Sequence, residues 1–146
     1  KELAKNYGAA NVINYARENF VEQIRDITQG RGVDVVFDSV GSSTFYQSIQ
    51  SLKKYGLMVS YGNASGKVSA FDLGLLSGHL FITRPTLWSY VATRKELEIT
   101  FGELLQLVML NKIRIPIYQK RPLQDIVALH KLMEERRTTG CSILTV

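Results

Sequence analysis

The chain has 146 residues, 45% of them hydrophobic, with 18 Lys and Arg against 13 Asp and Glu for a net charge of +5. This is the composition of a globular domain rather than a disordered segment, and one cysteine with two histidines leaves no disulfide framework and no zinc finger. No apolar stretch is long enough to span a membrane, no signal-peptide core follows the first charges, and no basic run exceeds two residues, which argues against a nucleic-acid surface.

KELAKNY reads as the end of a helix, with Gly8 as the residue of positive φ that closes it. NVINY (11–15) reads as a short strand. An amphipathic helix is expected over 17–28, with Phe20, Ile24 and Ile27 on one face, and Gly30 and Gly32 beyond it. VDVVFDSV (33–40) is nearly continuous in apolar residues, the pattern of a strand buried on both faces of a parallel sheet. Ser42 or Ser43 is placed to cap a helix carrying Phe45, Ile49 and Leu52, which Gly56 would stop. LMVSY (57–61) and LFITR (80–84) are the next strands. Strand and helix alternate as in βαβ units, so the fold class is α/β with a parallel sheet.

After Pro85 the spacing changes. Phe101, Leu104, Leu105, Val108 and Met109 share one face of a helix over about 93–110. Pro122 suits the first position of a further helix, with Ile126, Leu129 and Met133 as its buried stripe. SILTV (142–146) reads as a strand. A domain boundary falls near 86–92, without a flexible linker.

In open parallel sheets ligands bind outside the carboxyl ends of the strands. Three polar turns occupy such ends here: Asp38-Ser39-Val40-Gly41, Gly62-Asn63-Ala64-Ser65-Gly66 and Thr83-Arg84-Pro85. Small residues admit a ligand to the backbone, and amides there can donate to it; plain strand-to-helix turns have the same composition. No G-x-G-x-x-G, Walker loop, G-x-S-x-G or H-E-x-x-H is present. His79, His130 and Cys141 read as packed or surface residues. Asp38 is either a perturbed acid or an acceptor for the turn after it. Trp88 and Tyr90 either line a pocket or pack.

The stretches ELAKNYGAANVINY, GVDVVFDSVG, LMVSYGNASG, FITRPTL, TRKELEITFGELLQLV, PLQDIVALHKLMEERRTTG and SILTV occur in that order, from one end of the chain to the other. Together they resemble the carboxyl-terminal half of the NADPH-dependent quinone oxidoreductases, the zeta-crystallin-like, zinc-free branch of the medium-chain dehydrogenase/reductase superfamily. The resemblance implies an incomplete Rossmann-type doubly wound sheet, lacking its first two strands and the glycine loop that cradles the pyrophosphate. Residues 1–87 would be the carboxyl-terminal part of the NADPH-binding domain. Residues 88–146, helices and a strand, would return to the catalytic domain.

The resemblance also implies roles. Tyr15, from the VINY stretch, and Arg136, with Arg137 as neighbouring alternative, would meet the adenosine 2′-phosphate of NADPH. Asp38, Ser39 and Val40 would pass the adenosine and its ribose. Tyr61, Gly62, Asn63 and Ser65 would run beside the nicotinamide. Strand 80–84 would pair with its symmetry mate in a homodimer, near Phe81 and Arg84. The implied reaction is hydride transfer from NADPH to a quinone, in a cytoplasmic enzyme of which this chain is a fragment, inactive alone. The alternatives are an enoyl or alkenal reductase of the same superfamily and a truncated, non-catalytic interaction module.

Overall fold

Three parallel strands in the order β1-β2-β3 organise the first of the two units into which the chain divides, Lys1–Ser89 and Tyr90–Val146. The structure is a computed structural model and describes all of residues 1–146. The consecutive, parallel order is that expected of one half of a doubly wound sheet.

Helix α1 (Glu2–Asn6) is short, and Gly8 follows it with the expected positive φ. Residues 11–15, expected as a strand, form none. A strand exists only through its ladder, and no neighbouring strand of this chain offers Asn11–Tyr15 a register. Helix α2 (Phe20–Ile27) starts at Asn19, whose side chain accepts from Val21 N at 3.1 Å. Its buried residue is Val21 rather than Phe20 or Ile27.

Strand β1 (Val33–Asp38) leaves the helices on one side only. Phe37 is 71% exposed and Val35 is exposed beside it, so the expectation of burial on both faces fails. Helices α2 and α3 (Phe45–Gln50) pack together on the other face. Thr44 stands at the N-cap of α3, without a side-chain cap bond, where Ser42 or Ser43 was expected. The helix ends at Gln50, so Leu52 belongs to strand β2 (Leu52–Ser60) and not to the helix.

Gly56 does not stop the helix; it lies inside β2. The ladder runs from Val33↔Leu52 directly to Val35↔Leu57, which throws residues 53–56 out as a bulge. Beyond it the register is regular to Asp38↔Ser60, and β3 (Phe81–Thr83) continues the sheet through Leu57↔Phe81 and Val59↔Thr83. Phe45, Ile49 and Met58 form the core, Met58 at 0% exposure, with Leu52, Val68, Phe71, Leu75, Leu76, Leu80 and Ile82 packed around them. A single helical turn, α4 (Leu87–Tyr90), carries Trp88 and Tyr90, both exposed rather than packed.

The second unit holds helix α5 (Arg94–Met109), strand β4 (Ile117–Pro122), helix α6 (Ile126–Glu134) and strand β5 (Cys141–Thr145). A capping box starts α5: the Thr93 hydroxyl accepts from Glu96 N at 3.2 Å, and the Glu96 carboxylate accepts from Thr93 N at 2.8 Å. No residue of α5 is buried. Strands β4 and β5 pair in parallel on either side of α6 in sequence, a second βαβ arrangement, and Leu129 is its buried helical residue. Pro122 ends β4 and precedes a 3₁₀ turn, Leu123–Asp125, instead of opening α6. Its fixed φ suits either place. Cys141 is exposed at the start of β5, not packed.

Candidate functional site

Asp38 closes β1 and carries the local order of the strand ends. It is 4% exposed. One carboxylate oxygen accepts from Val40 N at 2.8 Å and Gly41 N at 3.0 Å; the other accepts from the Thr44 hydroxyl at 2.8 Å and the Ser48 hydroxyl at 2.7 Å. Burial pushes its pKa up. The Gly41 N–H, the Ser48 and Thr44 hydroxyls and the Val40 N–H outweigh that and hold it below the ordinary carboxylate value. Of the two readings of Asp38, the structure shows the acceptor for its own turn. All four donors are protein groups, so the carboxylate acts on a ligand only by fixing Ser39 and Val40.

The turn after β2 is zipped to the turn after β1. Tyr61 N donates to the Asp38 carbonyl at 2.9 Å, Ala64 N to the Ser39 carbonyl at 3.2 Å, and Ser65 N to the Val40 carbonyl at 2.7 Å. The Ser65 hydroxyl donates to the same Val40 carbonyl at 2.8 Å and accepts from Ser43 N at 3.0 Å. The glycines make this approach possible. A Cβ on Gly62 would run into the backbone of Ser39, and one on Gly41, whose φ is +89°, would lie 2.7 Å from the Gly66 carbonyl. These two glycines therefore bring two turns together, an explanation that needs no ligand.

The third strand end joins through Arg84. Its Nη1 donates to the Ser60 carbonyl at 2.8 Å and the Gly62 carbonyl at 3.2 Å. With the Asn63 amide turned so that its oxygen faces Arg84, that oxygen accepts from Arg84 Nη2 at 3.2 Å and its nitrogen donates to the Gly62 carbonyl at 2.9 Å. Three turns from three strand ends thus form one hydrogen-bonded platform. Its backbone geometry is set before any ligand arrives.

Beside the platform lies an open cleft lined by Ile13, Tyr15, Phe20, Ser39, Val40 and Thr44, among others. Tyr15 is 49% exposed there. The structure therefore brings Tyr15, Asp38, Ser39 and Val40 to one place, even though residues 11–15 are not a strand. Tyr61, Gly62, Asn63 and Ser65 lie on the platform. Arg136 lies in the second unit, just past α6, with a left-handed φ of +56°. The neighbouring Arg137 pairs with Glu135 at 3.2 Å. His79 and His130 are exposed. Sequence reasoning missed the two hydroxyls that complete the Asp38 shell, Thr44 and Ser48; their spacing of four places them on one helical face, a signal read only as a helix start.

A family profile described as zinc-binding dehydrogenase matches residues 7–144. Quinone oxidoreductase 1 of Escherichia coli K12 is 44% identical over 147 aligned residues, covering 98% of this chain and 45% of that protein. A 2-haloacrylate reductase of a Burkholderia species is 38% identical, covering 98% of this chain and 44% of that protein. Among solved structures, the E. coli quinone oxidoreductase complexed with NADPH superposes with a TM-score of 0.90 at 43% identity, covering 98% of this chain and 45% of that one. The chain spans about half the length of the curated relatives it matches. The family description implies zinc, and these residues do not fit it: no three His, Cys, Asp or Glu side chains come together as a ligand set.

Proposed function

The chain belongs to the zinc-binding dehydrogenase family, and we propose that it forms the NADPH-binding part of a reductase that passes hydride to a quinone. One observation carries this reading. The open cleft holding Tyr15 meets a pre-formed platform at the carboxyl ends of parallel strands, where such sheets bind nucleotides. The superposition on an NADPH complex supports it.

The Tyr15 ring borders the cleft, and its hydroxyl is a donor for a phosphate. Ser39 and Val40, held by Asp38, present backbone and small side chains to an adenosine and its ribose. Tyr61, Gly62, Asn63 and Ser65 form the side on which the nicotinamide would lie. The Ser65 hydroxyl is already spent on Val40 and Ser43, so its part is to hold the turn. Arg136, in the second unit, is proposed as a cofactor ligand on the family resemblance alone. When bound, NADPH supplies the hydride; the protein orients it and excludes water. No side chain of the first unit is required as an acid or base. The likeness to a 2-haloacrylate reductase favours, as second reading, an activated alkene as the acceptor.

A second copy of the chain is proposed to pair along β3, which is an edge strand with Phe81 exposed. Thr83→Pro should then yield a monomer in sedimentation, and an unchanged dimer refutes the contact.

The cofactor reading is tested by titrating the protein with NADPH and NADH and following nicotinamide fluorescence. The expected result is saturable binding with NADPH preferred, and a Tyr15→Ala variant that loses more affinity for NADPH than for NADH. Equal losses overturn the 2′-phosphate role of Tyr15. No saturable binding of either nucleotide removes the cofactor site from these residues and leaves the family membership standing.

A further inference from the structure

Arg84 follows the carboxyl end of β3, and its guanidinium crosses to the turn after β2. There it donates to the carbonyls of Ser60 and Gly62 and to the turned Asn63 amide oxygen, at 2.8, 3.2 and 3.2 Å. All three acceptors are neutral. Arg84 forms no salt bridge. The pocket it lines with Ser60 and Asn63 has Lys67 as its other charged residue and no acid. The carboxylate of the platform, Asp38, already has its oxygens occupied by Val40 N, Gly41 N and the Thr44 and Ser48 hydroxyls. A positive charge is therefore held in place beside Gly62 and Asn63 without a counter-charge.

Lacing the two turns requires donors but not charge; a neutral amide side chain donates to carbonyls as well. The charge is the part of Arg84 that the lacing leaves unexplained, and a guanidinium keeps it at every working pH. A fixed cation acts on whatever changes its own charge nearby. In hydride transfer the C4–H bond of the nicotinamide breaks and both its electrons leave with the hydrogen. The acceptor takes that hydride and a proton from solvent, and the ring is left with one positive charge. The phosphates and the adenosine are the same before and after. A cation near the ring thus disfavours the oxidised form and leaves the neutral, reduced ring nearly untouched.

We propose that Arg84 discriminates the redox state of the cofactor: its uncompensated charge favours NADPH over NADP⁺ and hastens release of the oxidised product. This inference rests on the proposed nicotinamide side at Tyr61, Gly62, Asn63 and Ser65, and it goes beyond that reading by assigning the site a preferred oxidation state. Arg84 is an exposed residue, so water and salt screen its field. The discrimination is accordingly about fivefold, the scale of a screened charge pair near a protein surface.

The test is calorimetric titration of the protein at low salt with NADPH, NADP⁺ and adenosine 2′,5′-bisphosphate, which carries the adenosine and its 2′-phosphate but no nicotinamide. The native protein should bind NADPH about fivefold more tightly than NADP⁺. Arg84→Met should bring the two affinities together. Arg84→Lys keeps the charge and loses the fork of donors, so both nucleotides weaken together and their ratio stays near the native one. Neither variant should change binding of the bisphosphate. A ratio retained in Arg84→Met, or lost equally in Arg84→Lys, overturns the proposal, as does native protein that binds NADP⁺ as tightly as NADPH. Bisphosphate binding that falls as far as NADPH binding in Arg84→Met makes the residue a structural one and also overturns it. Native protein that binds NADPH and the bisphosphate but fails one of these comparisons loses the Arg84 role alone. Native protein that binds none of the three probes loses the cofactor reading, and the Arg84 role with it.

Discussion

Ser65 holds Val40 twice: its backbone N–H and its hydroxyl both donate to the Val40 carbonyl, at 2.7 and 2.8 Å. The same hydroxyl accepts from Ser43 N. One side chain therefore fastens the turn after β2 to the turn after β1 and to the approach to α3. Ser65→Ala removes both side-chain bonds and keeps the backbone one. Because the position is exposed, water replaces part of the loss, and a cost of about 1 kcal/mol in urea unfolding is expected. Hydrogen exchange at the Ser43 amide should quicken more than at the β2 amides.

Asp38 gives a graded pair of variants. Asp38→Ala strands two backbone N–H groups and two hydroxyls in a buried place, and should cost about 3 kcal/mol or more in unfolding free energy. Asp38→Asn keeps an oxygen for Val40 N and Gly41 N, while the Thr44 and Ser48 hydroxyls rotate to accept from the new amide; about 1 kcal/mol is expected.

The same residue sets a pH dependence. Its folded pKa lies below the unfolded value, which is about 3.9. The stability it contributes is therefore fully present above that value and is lost as pH falls through the lower, folded one. Unfolding free energy measured from pH 6 down to pH 2 should fall more steeply for the native protein than for Asp38→Asn. Parallel curves would show that other carboxylates govern the acid limb.

How legible this was depends on whether the cause was local. The α/β alternation, the parallel sheet and the position of Asp38 at a strand end follow from apolar runs and turn residues. Residues 11–15 carry a strand-like pattern, yet a strand requires a partner, and partnership is not a property of five residues. The bulge at 53–56 was invisible because Gly56 reads equally as a helix stop and as a tight corner. Strand β4 was missed since Ile117-Tyr118-Gln119-Lys120 is a short run directly before Pro122, which reads as the first position of a helix. Exposure of Phe37 was hidden because composition tells which residues prefer burial, not whether a layer covers them. In the site, the turns were legible and their lacing was not: bonds such as Ser65 to Val40 span 25 residues.

Two glycines should answer oppositely to the same change. A methyl on Gly62 meets the Ser39 backbone, which cannot move without unzipping the two turns. Gly62→Ala should therefore destabilise by more than about 2 kcal/mol and abolish saturable NADPH binding. A methyl on Gly102, inside α5, meets nothing within 4 Å. Gly102→Ala should stabilise by about 0.5–1 kcal/mol, the difference in helix propensity. Thermal unfolding of the two variants reads both signs.

Arg136 sets stability against function. Its φ of +56° is a left-handed conformation in which a non-glycine side chain is strained, and it stands where a helix commonly ends on glycine. Arg136→Gly should relieve that strain and raise unfolding free energy by about 1 kcal/mol. A site selected for stability alone would carry the glycine. The proposed role as a cofactor ligand supplies the opposing reason: the guanidinium offers a phosphate two parallel donors. The same variant should then bind NADPH about tenfold more weakly, the scale of a lost charge-assisted pair, with little change for NADH. A variant that gains stability and binds NADPH as before would leave the strained arginine without a function in cofactor binding.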